Sequence, residues 1–144
     1  MKLMTISNAG LALIKKYEGC QLKAYKCPAG IPTIGYGHIK GVKMGMTITQ
    51  EIADKLLQED IAPTEKALNA LKINFRQGQF DALVSFIFNL GIGNFNSSTL
   101  KKKIVAGAKD EDIAAEFGKW NKAGGKVLAG LTKRREEEAK LWMQ

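Results

Sequence analysis

Apolar and polar positions repeat with two different periods along the chain, and the switch between them marks its organisation. Behind Ser7, a good cap, Leu11, Ile14 and Tyr17 recur at helical spacing and predict a helix ending near Gly19. From Leu22 to His38 the texture changes. LKAYKC and TIGYG predict two short strands. PAGIP between them is turn chemistry, with Pro28 fixing φ and Gly30 allowing the reversal. Gly35 and Gly37 interrupt the second strand, and a third short strand is expected around Ile39 to Met44. Beyond that the period is helical. Thr49 caps a segment with Ile52, Leu56 and Ile61 on one side, and Pro63 must start a new turn or kink the chain. Asn74 and Gln77 resemble a capping box that opens Phe75 to Leu90. That stretch is apolar on most faces after Gln79, which predicts a buried central helix stopped by Gly91 to Gly93. Ser97 or Ser98 begins another helix, ended by Gly107, and Asp110 caps a short one reaching Phe117 and Trp120. NKAGGKVLAG reads as a loop, and LTKRREEEAKLW as a last helix anchored by Leu131, Ala139 and Trp142. Strands segregated before a helical bundle make the fold class α+β.

Composition narrows the function classes. The chain has 144 residues, 45% of them hydrophobic and 25% charged, as in an ordinary soluble domain with one proper core. Twenty-two basic and 14 acidic residues leave a net charge of +8, which draws the chain to a polyanion: nucleic acid, an acidic membrane face or an anionic cell wall. The apolar residues at the start are broken by Ser7, Asn8 and Gly10, so no export signal is read there. No run reaches the roughly 18 apolar residues of a membrane span. The expected place is the cytoplasm of the producing cell, with no stable membrane insertion and any action outside following release. Cys20 and Cys27 do not have a zinc spacing, and His38 is the only histidine, so no metal or cofactor is expected and both cysteines are expected as thiols. Gly35-Tyr36-Gly37 and Gly91-Ile92-Gly93 lack the rest of a dinucleotide loop. A nucleophile elbow and the signatures of nucleic-acid modules are also missing. His38 reads as a hydrogen-bonding histidine.

Glu18 remains. It ends the first helix, beside a glycine and just ahead of the hairpin, where a carboxylic acid can line a cleft and donate a proton. The segment around it resembles the phage-type lysozymes, the endolysin muramidases. Their pattern is a helix ending in Glu-Gly, a Tyr-x-Asp strand, a glycine-containing turn and then Thr-Ile-Gly-x-Gly-His. Glu18-Gly19, Tyr25-Lys26-Cys27, Pro28-Ala29-Gly30 and Thr33 to His38 follow it in order. TQEIADKLLQEDI, GQFDALVSFIFNLGIGNF, STLKKKI and AGGKVLAGLTKRREEEAKLW extend the resemblance along most of the chain. What it implies is a lysozyme-like single domain over residues 1–144. A sheet-containing lobe of about 15–60 and a helical lobe of about 1–14 and 61–144 would have a cleft between them. It implies cleavage of the β-1,4 bond between N-acetylmuramic acid and N-acetylglucosamine in bacterial peptidoglycan by a monomer. Glu18 would protonate the leaving oxygen. The group at position 27 would hold water on the opposite face of the sugar, helped by the Thr33 hydroxyl. Gly35, Tyr36 and His38 would support the site, and Arg134 falls where the family's last helix offers an arginine toward the catalytic glutamate.

Cys27 departs from the family, which usually has Asp there. A thiol is a weak base at neutral pH unless neighbouring N–H groups or cations ease its ionisation. A thiolate can polarise water as a carboxylate does, or attack the anomeric carbon directly. Cys20 reads as a small packed residue, and a Cys20–Cys27 disulfide would silence Cys27. The alternatives are a lytic transglycosylase that uses Glu18 alone and gives anhydro-sugar products, and an inactive peptidoglycan-binding module. A basic nucleic-acid binder has no motif in its favour.

Overall fold

The computed structural model describes residues 2–144. The chain divides into two compact units, Ile14–Pro63 and Met1–Leu13 with Thr64–Gln144. The divisions fall inside the two helices α1 (Asn8–Glu18) and α2 (Gln50–Ala70).

In the first unit, strands β1 (Gln21–Lys26) and β2 (Pro32–Gly35) pair antiparallel, with Tyr25 opposite Thr33 and Gln21 opposite Gly35. The turn closes by Cys27 N–H donating to Ile31 O at 3.0 Å and Gly30 N–H donating to Cys27 O at 2.7 Å. Residues 39–44 form turns, not the expected third strand. The free edge of β1 is instead met by the next few residues, through Ala24 N–H to Met46 O (2.9 Å) and Ile48 N–H to Leu22 O (2.8 Å). Gly41 and Gly45 flank a stretch with no alternation of apolar and polar residues, so the pairing slips to the first β-branched pair after it, Thr47-Ile48. Thr49 caps α2 as expected, its hydroxyl accepting from Ile52 N–H at 3.2 Å. The buried stripe of α2 in this unit is Ala53, Leu57 and Ile61, one position on from Ile52 and Leu56. Ile52 stays exposed, because small Ala53 admits the backbone of β2 closely. The helix runs on through Pro63, so of the expected restart or kink the chain makes no restart.

The second unit is built on α3 (Gln77–Leu90), whose residues Gln79 to Ile87 are all buried. Its cap lies two residues later than expected: Arg76 N–H donates to the Gln79 side chain at 2.9 Å, and Phe75 belongs to the approach. Phe86 meets Phe95, Phe117 and Trp120 edge-on, with ring centroids 6.4, 5.6 and 5.7 Å away. A short helix α4 (Ile92–Ser97), not expected, brings Phe95 there directly after Gly91. Helices α5 (Thr99–Val105) and α6 (Asp110–Phe117) follow, the first capped by the Ser98 hydroxyl at 3.0 Å from Lys101 N–H. The expected loop at 121–130 contains a small hairpin, β3 (Lys122–Ala123) with β4 (Lys126–Val127). Gly124 and Gly125 take φ of 57° and 78°, the left-handed pair that a two-residue hairpin turn requires. The last helix, α7 (Ala129–Met143), packs on α3 and α6. It buries Trp142 as expected, but its other buried residues are Arg134, Arg135 and Glu138, while Leu131 and Ala139 are only half-buried.

The first residues are fastened to this second unit by side chains. Asn69 accepts from Met4 N–H and donates to Met4 O, both at 2.9 Å, and Glu65 accepts from Ile6 N–H at 2.7 Å. Buried Asp81 accepts from the Ser7 amide at 2.9 Å and from its hydroxyl.

Candidate active site

The residues singled out around Glu18 lie together in the Ile14–Pro63 unit. Glu18 is the last residue of α1 and is half-buried. Its Oε1 is 3.8 Å from where a Cβ on Gly37 would stand, and Gly37 has a φ of 84°. Residues 35–37 therefore form a wall beside the carboxyl that only glycine can turn without strain. The wall is closed by reciprocal backbone bonds between Ile34 and His38, each 2.9 Å.

Cys27 follows β1 directly, at the first position of the turn, and Thr33 lies in β2 with 3% exposure. The Ile31 amide, then that of Ala29, holds the Cys27 thiol below its ordinary value against the opposing effect of burial, and the Thr33 hydroxyl adds a lesser pull in the same direction. The Thr33 hydroxyl also lies 2.9 Å from Ile31 O, to which it donates. Its one hydrogen serves either the carbonyl or the sulfur. The local sequence explains the cradle: a Pro-Ala-Gly turn bends amides inward over residue 27.

Tyr36, within this wall, has a buried side chain. Its hydroxyl accepts from Gln50 Nε2 at 2.9 Å, and the Lys15 ammonium stands 5.6 Å from its ring centre. Gly35 is buried too, with Ala53 3.6 Å from where its Cβ would be. His38 is pinned on both sides: Nδ1 lies 2.9 Å from Asp60 and Nε2 lies 2.9 Å from Lys40 O. That is a fastening role, tying the end of the wall to α2. Arg134 lies on α7 in the other unit with 3% exposure. There it donates from Nε to the Ser85 hydroxyl at 3.3 Å and approaches Glu138 at 3.5 Å.

Gln50, Asp54 and Asp60 carry these supports and were not legible in the sequence. Their only signal is their place on one flank of α2 after the Thr49 cap. Cys20 and Cys27 are free thiols at the two ends of β1. Among the described residues, no group of three or more His, Cys, Asp or Glu is placed to hold a metal ion. Nor is any described helix long and apolar enough to cross a membrane. Chemically, the unit offers a half-buried carboxyl and a thiol eased toward ionisation beside a hydroxyl. That is a proton donor and a base or nucleophile.

Comparison with known proteins shows the family. The profile of the phage lysozyme family matches residues 15–138. The endolysin of Acyrthosiphon pisum secondary endosymbiont phage 1 is 48% identical over 144 residues, covering 96% of this chain and 98% of its own. The endolysin of Bacillus phage B103 is 46% identical over 97% of this chain, which spans only 54% of that longer protein. The muramidase domain of SpmX from Asticaccaulis excentricus superposes with a TM-score of 0.89 at 39% identity, over 97% of this chain and 98% of that one. With α+β architecture, the Glu18–His38 segment and these relatives in agreement, the chain belongs to the phage lysozyme family.

Proposed function

We propose that the chain is an endolysin that hydrolyses the β-1,4 bond between N-acetylmuramic acid and N-acetylglucosamine in peptidoglycan, and so lyses the bacterial host. Glu18 gives its proton to the leaving glycosidic oxygen. The Cys27 thiolate takes a proton from water, held with the Thr33 hydroxyl, as that water's oxygen bonds to the anomeric carbon. The sugar inverts, and the glycan is cut with one water added. Gly35, Tyr36 and His38 shape the wall beside Glu18. The protein works as a monomer on the wall after release from the producing cell, and its +8 charge draws it there.

The observation that supports this best is the Cys27 thiol, held below its ordinary value by the amides of Ile31 and Ala29. The presence of cysteine where the family has a carboxylate also favours a second reading, a transglycosylase in which Glu18 acts alone and the sugar's own 6-hydroxyl attacks. Digestion of purified peptidoglycan by the wild type and by Glu18→Gln, with product masses and anomeric form determined, separates them. Reducing products of full mass with inverted configuration are expected, and none from Glu18→Gln. Products one water lighter mean transglycosylation, retained configuration means direct attack by Cys27, and an active Glu18→Gln removes Glu18 from the chemistry.

A further inference from the structure

Gln50 sits at the first position of α2, and its amide joins the two chain segments that border Glu18. Nε2 has two hydrogens and uses both: one goes to the Tyr36 hydroxyl at 2.9 Å, the other to Asp54 Oδ1 at 3.0 Å. Oε1 lies 3.9 Å from the Cys20 sulfur, a weak thiol hydrogen bond. Cys20 comes two residues after Glu18. Tyr36 comes just before Gly37, the glycine that faces the Glu18 carboxyl. Asp54 carries the tie further, to Lys15 Nζ at 3.1 Å, on the turn of α1 that precedes Glu18. Lys15, and after it Gln50, holds the Asp54 carboxyl below the usual carboxylate range.

We propose that Gln50 is a positioning residue for Glu18: through Tyr36 and Cys20 it fixes the wall at residues 35–37 and the chain leaving α1, and so the place of the Glu18 carboxyl. This rests on Glu18 being the proton donor. Gln50 itself is exposed, so its loss leaves no cavity in the core. A carboxyl displaced by a fraction of an ångström still binds glycan but delivers its proton poorly.

The test compares Gln50→Ala, Tyr36→Phe, the double variant and Glu18→Gln on soluble peptidoglycan fragments, well below each melting temperature. Gln50→Ala is expected to lower kcat by about tenfold with KM changed less than about twofold, and to move a limb of the pH–rate profile. Tyr36→Phe is expected to add little once Gln50 is gone, because the two act in series. Gln50→Glu, which keeps the shape and loses the donors, provides the same measurement should Gln50→Ala fold poorly. A wild-type kcat in Gln50→Ala, an unmoved pH profile, or full additivity with Tyr36→Phe overturns the proposal. If that happens while Glu18→Gln is inactive, only the positioning role fails. If Glu18→Gln keeps its rate, the catalytic reading and the positioning role fail together.

Discussion

Arg135 Nε lies 2.7 Å from Glu138 Oε1, and neither side chain has any exposure to solvent. Glu138 also accepts from the Ser85 hydroxyl at 2.6 Å and from Arg135 Nη2 at 3.1 Å, while Arg135 donates to Asn89 at 2.9 Å. The Arg135 guanidinium faces the Phe86 ring at 5.2 Å. Burial pushes the Glu138 carboxyl up, and both arginines and Ser85 pull against it. Breaking such a pair leaves a charge buried and unmatched. Glu138→Ala is expected to cost about 3–5 kcal/mol in urea denaturation. Replacing Arg135 and Glu138 together by Met and Leu should recover only part of that loss, because buried Arg134, 3.5 Å from Glu138, loses its carboxylate as well.

The Cys27 thiol should ionise below the ordinary thiol range of about 8.5. Alkylation by iodoacetamide in a Cys20→Ser background, followed against pH, reads this directly. Thr33→Val should move the midpoint upward. In activity, Cys27→Ser should be much weaker than Cys27→Asp, because a hydroxyl does not replace a base. Equal rates for the two would take residue 27 out of the mechanism.

Glu116 has 2% exposure and lies 2.8 Å from Lys103 Nζ and 2.7 Å from Lys119 Nζ. The two lysines, Lys103 first, outweigh burial and lower its carboxyl's affinity for protons. The folded state therefore binds this proton less readily than the unfolded chain. Its contribution to stability is complete above the ordinary carboxylate range and is lost as pH falls through the depressed folded value. Glu116→Gln should lower stability at neutral pH and flatten its decline below about pH 4, as melting temperature against pH will show.

Asp60 holds His38 Nδ1 at 2.9 Å, with 10% of the histidine side chain and 31% of the carboxylate exposed. Asp60→Ala, which removes the acceptor, should cost about 1–3 kcal/mol, seen as a lower melting temperature at neutral pH. An unchanged melting temperature would mean that water replaces the carboxylate without loss.

Much of the fold was written in the apolar pattern. The α1 helix, the hairpin of β1 and β2 and the buried run of α3 were all legible, because each combines a clear period with a cap or a turn residue. The last helix was legible as a helix but its buried face was not, since arginine and glutamate ordinarily mark a surface, and nothing local announces that Arg135 and Glu138 neutralise each other inside. The β3–β4 hairpin escaped because two residues per strand carry no period. The candidate site was proposed from the resemblance alone: a glutamate ending a helix is commonplace by itself. Gln50 and Asp60 left no trace, as their partners are 14 and 22 residues away in sequence.

Strand β1 also acts as a spacer between two sulfurs. Its six residues separate Cys20 from Cys27, a rod of roughly 20 Å when extended, whereas a disulfide tolerates a Cα separation of only about 7 Å. Once zipped between Pro32–Gly35 and the 46–48 edge, the chain cannot cross-link to itself. An unzipped chain can, and the bond would then forbid the strand. Survival in an oxidising space becomes a matter of timing: a molecule that completes this pairing first keeps both thiols free, and one caught earlier is locked out of its own native form.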